Sequence, residues 1–185
     1  MNGFIKNKYQ QRQIRNLMQQ PRTKKIQNWD NIKTIGLIFT VGDMEFWKLI
    51  QRFITAQESQ GKSIFIIGFH PYKYEINYIF THTKSTICHE KEDFSFMGLP
   101  KDGVIDQFLN NKYDLLIDST IQPNFFGKYV TTLCNADLKV GYSNNDSESD
   151  EGIMEMYDMT IQGDGSMDFK NYIEQIVKYL KIIKK

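Results

Sequence analysis

Only two cysteines occur in the 185 residues, Cys88 and Cys134, far apart and without a C-x-x-C pair, so a disulfide framework and a cysteine zinc site have no support. Both read as reduced core thiols. No run of about 18 apolar residues exists to span a bilayer, and the early positive charges are not followed by a secretory apolar core. The first serine is Ser59, so the basic N-terminus lacks the serine content of a mitochondrial transit peptide. A cytoplasmic protein is expected. Glycine is scarce where cofactor motifs need it: VGDMEFWK, after the first apolar run, has one glycine in place of G-x-G-x-x-G, and GxxxxGK[ST] is absent. Classical dinucleotide and P-loop binding are therefore disfavoured, and no cofactor is expected.

Catalytic and metal signatures are also wanting. His70, His82 and His89 are spaced too irregularly for a metal motif and read as packed or solvated histidines. The acidic patch Asp146, Glu148, Asp150 places Glu151 where a calcium loop needs glycine and Tyr157 where it needs a bidentate glutamate. No metal site is expected. Ser119, His70 and Asp118 supply the residue types of a hydrolase triad, but no GxSxG elbow presents the serine.

Apolar strand-like runs are present, with 41% hydrophobic residues, enough for one compact domain with a sizeable core. TIGLIFTV (Thr34 to Val41), SIFIIGF (Ser63 to Phe69) and YDLLIDST (Tyr113 to Thr120) lack period-two alternation, as strands buried on both faces do. Between the first two, Asp43 can cap a helix carrying Phe46, Leu49, Ile50 and Phe53 at helical spacing. Residues 72–100 are the least readable, with a short helix expected near Glu75 to Ile79 and a strand within Ser85 to Phe96. Further on, the pattern predicts a helix over Lys101 to Asn111. Another should begin at Pro123, reach about Asn135, and turn Phe125, Tyr129, Leu133 and Cys134 inward. LKVGYS and MYDMTIQ (Met156 to Gln162) read as strands, and Ser166 as the cap of a closing helix with Ile173, Ile176, Val177 and Leu180 on its core face. NNDSESDEG (Asn144 to Gly152) reads as an acidic loop.

Strands alternating with helices in this rhythm predict an α/β fold, a doubly wound, mainly parallel, Rossmann-like sheet over residues 30–185, preceded by a basic helical arm over residues 1–29. Ligands of such sheets bind beyond the strand carboxyl ends. The expected ligand-binding residues are therefore Gly42, Asp43, His70, Asp118, Ser119, Thr120, Ser143 and Asn144, and helix starts there favour a small anion. The same edge could instead receive a protein partner.

Charge is uneven. Residues 1–29 hold seven bases and no acid, so with a net charge of +1 overall the remainder carries −6. Phe4, Ile14, Leu17 and Met18 gather on one side of a helical wheel and Lys8, Arg12 and Arg15 on another. With Arg22, Lys24 and Lys25 these bases suit nucleic acid or an anionic membrane surface, or else a solvated face of a packed arm. Trp29 is expected either to enter a membrane interface or to anchor the arm to the body.

The order YDLLIDST, helix, ADLKVGY resembles the N-terminal half of heptosyltransferase-type glycosyltransferases, through Tyr113, Asp114, Ile117, Asp118, Ala136, Val140, Gly141 and Tyr142. The likeness spans residues 113–142 and implies a Rossmann-like half. In that family the nucleotide-sugar donor is held mainly by the C-terminal half, so an acceptor-side or scaffold domain is implied here. The basic helical head, IGLIF strand, KEDFSFMGLPK segment and YDLLID strand together are similar to a family of short bacterial proteins of unknown function.

Overall fold

The computed structural model describes residues 3–18, 22–73, 82–122, 124–144 and 156–183. Six strands form one all-parallel sheet: β1 Thr34–Thr40, β2 Ser63–His70, β3 Ser85–His89, β4 Lys112–Asp118, β5 Asn135–Asn144 and β6 Met159–Gly163, in the order β3-β2-β1-β4-β5-β6. This is the doubly wound, Rossmann-like order. Helices α1 Gly3–Met18, α2 Met44–Glu58, α3 Glu90–Asp93, α4 Asp106–Leu109, α5 Phe125–Leu133 and α6 Phe169–Ile182, with a 3-10 turn Trp29–Asn31, complete the described elements. No described helix is long and apolar enough to cross a membrane.

The central strands are apolar throughout because both faces are covered. From β1, Ile35, Leu37 and Phe39 join Trp47, Ile50 and Phe53 of α2 and Phe169, Ile173 and Ile176 of α6 in one core layer. Ile38 joins Leu116 of β4 and Phe126 and Val130 of α5 in the other. Each such side chain, fully buried, contributes about 1.5–3 kcal/mol. Gly36 allows β1 and β4 to pack closely, since a Cβ there would sit 2.8 Å from the Leu116 side chain.

Several boundaries differ from expectation. The helix expected over Lys101 to Asn111 is only Asp106–Leu109, because Gly103 at φ +83° holds a turn just ahead of it. Asn124 caps α5 through Gly127 N, and Pro123 lies outside the described residues. The buried face of α5 is Phe126 and Val130, with Cys134 buried just beyond its end as expected; Phe125, Tyr129 and Leu133 are only partly buried, the last two packed against this core. Asp168 caps α6 at Asn171 N, while Ser166 bonds Asp164 instead. The last strand begins at Met159, three residues later than expected; Met156 and Tyr157 are buried in the approach to it, where Tyr157 OH is held by Asp118. The helix expected at Glu75 to Ile79 and nearly all of the acidic loop lie outside the described residues; Asn144 ends β5.

The arm packs on the body. α1 lies against α5, with Gln10 Nε2 donating to Met97 O at 2.9 Å, although Phe4 remains 66% exposed. Trp29 is 4% exposed in the core, so it anchors the arm and is not available for membrane insertion. Lys62 Nζ lies 5.0 Å from the Trp29 ring and donates to Trp29 O and Ile32 O at 2.9 and 2.8 Å.

Candidate functional site

Strand order reverses between β1 and β4, the place where sheets of this topology bind ligands beyond the strand carboxyl ends. The register pairs Ile38 with Asp118, which brings Thr40 through Asp43 alongside Ser119 and Thr120. Asn124 reaches across, its Nδ2 donating to Thr40 Oγ1 at 2.9 Å. Two helices, α2 and α5, start at this edge.

Of the residues expected here, Asp118 proves to be an internal hub. Its Oδ1 accepts from Thr120 N at 3.0 Å and Thr120 Oγ1 at 2.6 Å; its Oδ2 accepts from Tyr157 OH at 2.6 Å and Thr131 Oγ1 at 3.4 Å. Its backbone carbonyl accepts from Tyr172 OH at 2.8 Å. Burial raises the carboxyl above its ordinary range, while the Thr120, Tyr157 and Thr131 donors pull the other way. Gly127 is required beside it: a Cβ would lie 2.9 Å from Asp118 Oδ2.

Ser119 is likewise engaged, its Oγ donating to Ile38 O at 2.8 Å. Ser143 is buried at the end of β5, on the far side of β4 from the β1 edge. Asp43 is exposed and caps α2, its Oδ1 accepting from Phe46 N at 2.8 Å, with Gly42 packed beside the Phe46 ring. At these strand ends Thr40, Gly42, Asp43 and Asn124 are partly or fully exposed.

His70 stands one strand outward, at the end of β2. The register sets it against His89 of β3, and the two Nδ1 atoms are 3.1 Å apart. One ring must donate and the other accept, so both cannot be cationic without repulsion. Burial, then His89, hold His70 below its ordinary value. His82 is elsewhere, its Nε2 3.1 Å from Glu58 Oε1. His70 is thus a packed histidine, as expected; its pairing with His89 follows from the parallel registration of two strands that both end in histidine. Among the described residues no three His, Cys, Asp or Glu side chains gather as a metal site. Cys88 and Cys134 are buried, and burial pushes both thiols up to about 12.

The arm bases divide into two groups. Arg22 pairs with Asp158 and Lys24 Nζ lies 3.0 Å from Asp158 Oδ1, while Lys25 is exposed and only its backbone N donates to Asp137 O, at 2.9 Å. Asp158 also accepts from Lys139 N at 2.8 Å. Lys139, its side chain buried with Nζ on Thr131 O and Thr132 O at 2.5 and 3.2 Å, is lowered to about 8, first by burial and then by Arg22. Lys8, Arg12 and Arg15 of α1 face solvent.

Asn124, Thr131 and Tyr157 escape a reading of the sequence because each contacts a segment distant in the chain. The profile of a family of unknown function, DUF6913, matches residues 6–183. No curated protein and no solved structure matches the chain.

Proposed function

Because the chain belongs to the DUF6913 family, whose function is unknown, we propose from its geometry that it is a binding domain whose crevice between β1 and β4 takes a small ligand with an anionic group. The observation that carries this is the strand order β3-β2-β1-β4-β5-β6, which opens the sheet beside Thr40, Gly42, Asp43 and Asn124. Each of α2 and α5 begins there with about four N–H groups unpaired by the helix itself, and a single cap takes only one of them. Asp43 and Glu45 already bring negative charge to α2, so a singly charged acid, such as a carboxylate, suits the crevice better than a polyphosphate. A binding role is favoured over group transfer because the Ser119 and Thr120 hydroxyls are committed internally and both thiols are buried.

Thermal denaturation of the full chain against carboxylates, sugar phosphates, nucleotides and sugar nucleotides tests the reading. A saturable rise in Tm with one class, abolished by Thr40→Val or Asn124→Ala, is expected. No stabilisation by any class, or stabilisation untouched by both variants, would overturn it.

A second reading rests on Lys8, Arg12 and Arg15, which project from α1 with the exposed Phe4 and Ile5 while Arg22 and Lys24 are occupied by Asp158. Such a stripe suits an anionic surface, nucleic acid or membrane. Charge reversal at these three positions should abolish salt-dependent retention on RNA or on anionic vesicles; if neither is retained at low salt by the unaltered chain, the stripe has no such role.

A further inference from the structure

The approach to β6, residues 156–158, is held from two sides. From outside, Met18 at the end of α1 packs on Met156 and Tyr157, and Arg22 and Lys24 pair with Asp158. From inside, Tyr157 OH donates to Asp118 Oδ2 at 2.6 Å, its ring packs on Gly141, where no side chain would fit, and Thr132 Oγ1 of α5 lies 3.3 Å from Met156 Sδ. Asp118 passes the contact on, since its Oδ1 accepts from both Thr120 N and Thr120 Oγ1. An unbroken series of contacts, Met18 to Tyr157 to Asp118 to Thr120, thus runs from the arm to the carboxyl end of β4.

We propose that the arm is a strap that controls the order of this edge. While it holds residues 156–158, Tyr157 fixes Asp118 and Asp118 fixes Thr120; when it lifts, all three are released together. The strap is lightly fastened: among the described residues of α1 only Gln10 is buried, and the side chains of Arg22 and Lys24 are 25% and 58% exposed, so water and salt compete for Asp158. Its far end is fixed, because Trp29 sits in the core with Lys62 over its ring, and the arm pivots there. Asp118 makes the release cooperative. At 2% exposure its carboxyl group loses a buried donor when Tyr157 leaves, and water entering to replace that donor frees Thr120 as well. An event that draws the basic outer face of α1 off the body is thereby read at the edge proposed to bind an anionic ligand. Amide exchange reads the coupling without any ligand, so that proposal and this one can fail separately.

Hydrogen exchange of the isotopically labelled full chain, followed by NMR, tests the strap. The Thr120 amide, bonded to Asp118 Oδ1 at 3.0 Å, should exchange faster than the Leu37 amide inside β1, because the strap opens before the sheet does. Arg22→Gln/Lys24→Gln, and independently Met18→Ala, should quicken Thr120 about tenfold. Phe46, whose amide is capped by Asp43 outside the series, should stay within about twofold. In the Tyr157→Phe background, where the series is already cut, the arm substitutions should change Thr120 by no more than about twofold. The proposal is overturned if Thr120 exchanges as slowly as Leu37, if neither arm variant quickens it, if Phe46 quickens equally, or if the arm variants act equally with and without the Tyr157 hydroxyl.

Discussion

Replacing Tyr157 by Phe deletes one hydroxyl and leaves the ring, which isolates the value of the bond that ties the approach to β6 to the end of β4. Tyr157 OH donates to Asp118 Oδ2 at 2.6 Å, and both residues are buried, at 8% and 2% exposure. A hydrogen bond to a charged acceptor contributes about 1.5–3 kcal/mol, and the isosteric change opens no large cavity. Tm should therefore fall by about 3–12 °C for a chain of this size. The sign of the pH dependence is fixed as well. Burial raises Asp118 above its unfolded value, and the Tyr157 bond favours the charged form. The stabilising effect of the hydroxyl is thus largest above the folded value of Asp118 and shrinks as pH falls through it. Urea denaturation of both proteins across the acid range measures this difference. A loss below about 0.5 kcal/mol, smaller than a typical net hydrogen bond, or a gap that widens with acid, would refute the hub.

Three further outcomes follow from the same coordinates. Gly127→Ala should destabilise by about 1–3 kcal/mol, because the clash with Asp118 and Thr120 outweighs the roughly 1 kcal/mol that alanine gains in a helix; calorimetry reads the net sign. Asp158→Ala leaves Arg22, Lys24 and Lys139 N without their shared acceptor and should cost about 1–3 kcal/mol, since solvent reaches both cations. Trypsin should then cut after Arg22, Lys24 or Lys25 faster than in the unaltered chain. His70 is held low in the fold relative to about 6.5 in the unfolded chain, so acid charges the unfolded chain more readily and stability falls as pH drops from about 6.5 through the folded value, levelling below it. His70→Gln should flatten that limb in urea midpoints measured from about pH 7 to 5.

What was legible in the sequence is what depends on neighbours in the chain. β1, β2 and β4 declare themselves because a strand covered on both faces must be apolar at every position, and Asp43 declares α2 because a cap acts three residues ahead. α4 and α6 were misplaced at their starts because Gly103 and the Asp164–Ser166 turn compete with helix over a few residues, a balance that periodicity does not register. The site was readable as a location and not as a constellation. Asp118 looks like an exposed strand end until Tyr157, 39 residues on, and Thr131 close over it. His70 meets His89 only through the β2–β3 register. The long acid-free arm suggested a free basic surface, yet two of its seven bases, Arg22 and Lys24, are paired because the fold brings Asp158 beneath them.

The most direct test of the binding crevice is an NMR titration of the isotopically labelled full chain with the compound that most raises its Tm. Amide shifts should concentrate at Thr40, Gly42, Asp43 and Asn124 and saturate with the thermal effect. Shifts confined to other residues, or the absence of any compound that binds, would contradict the account.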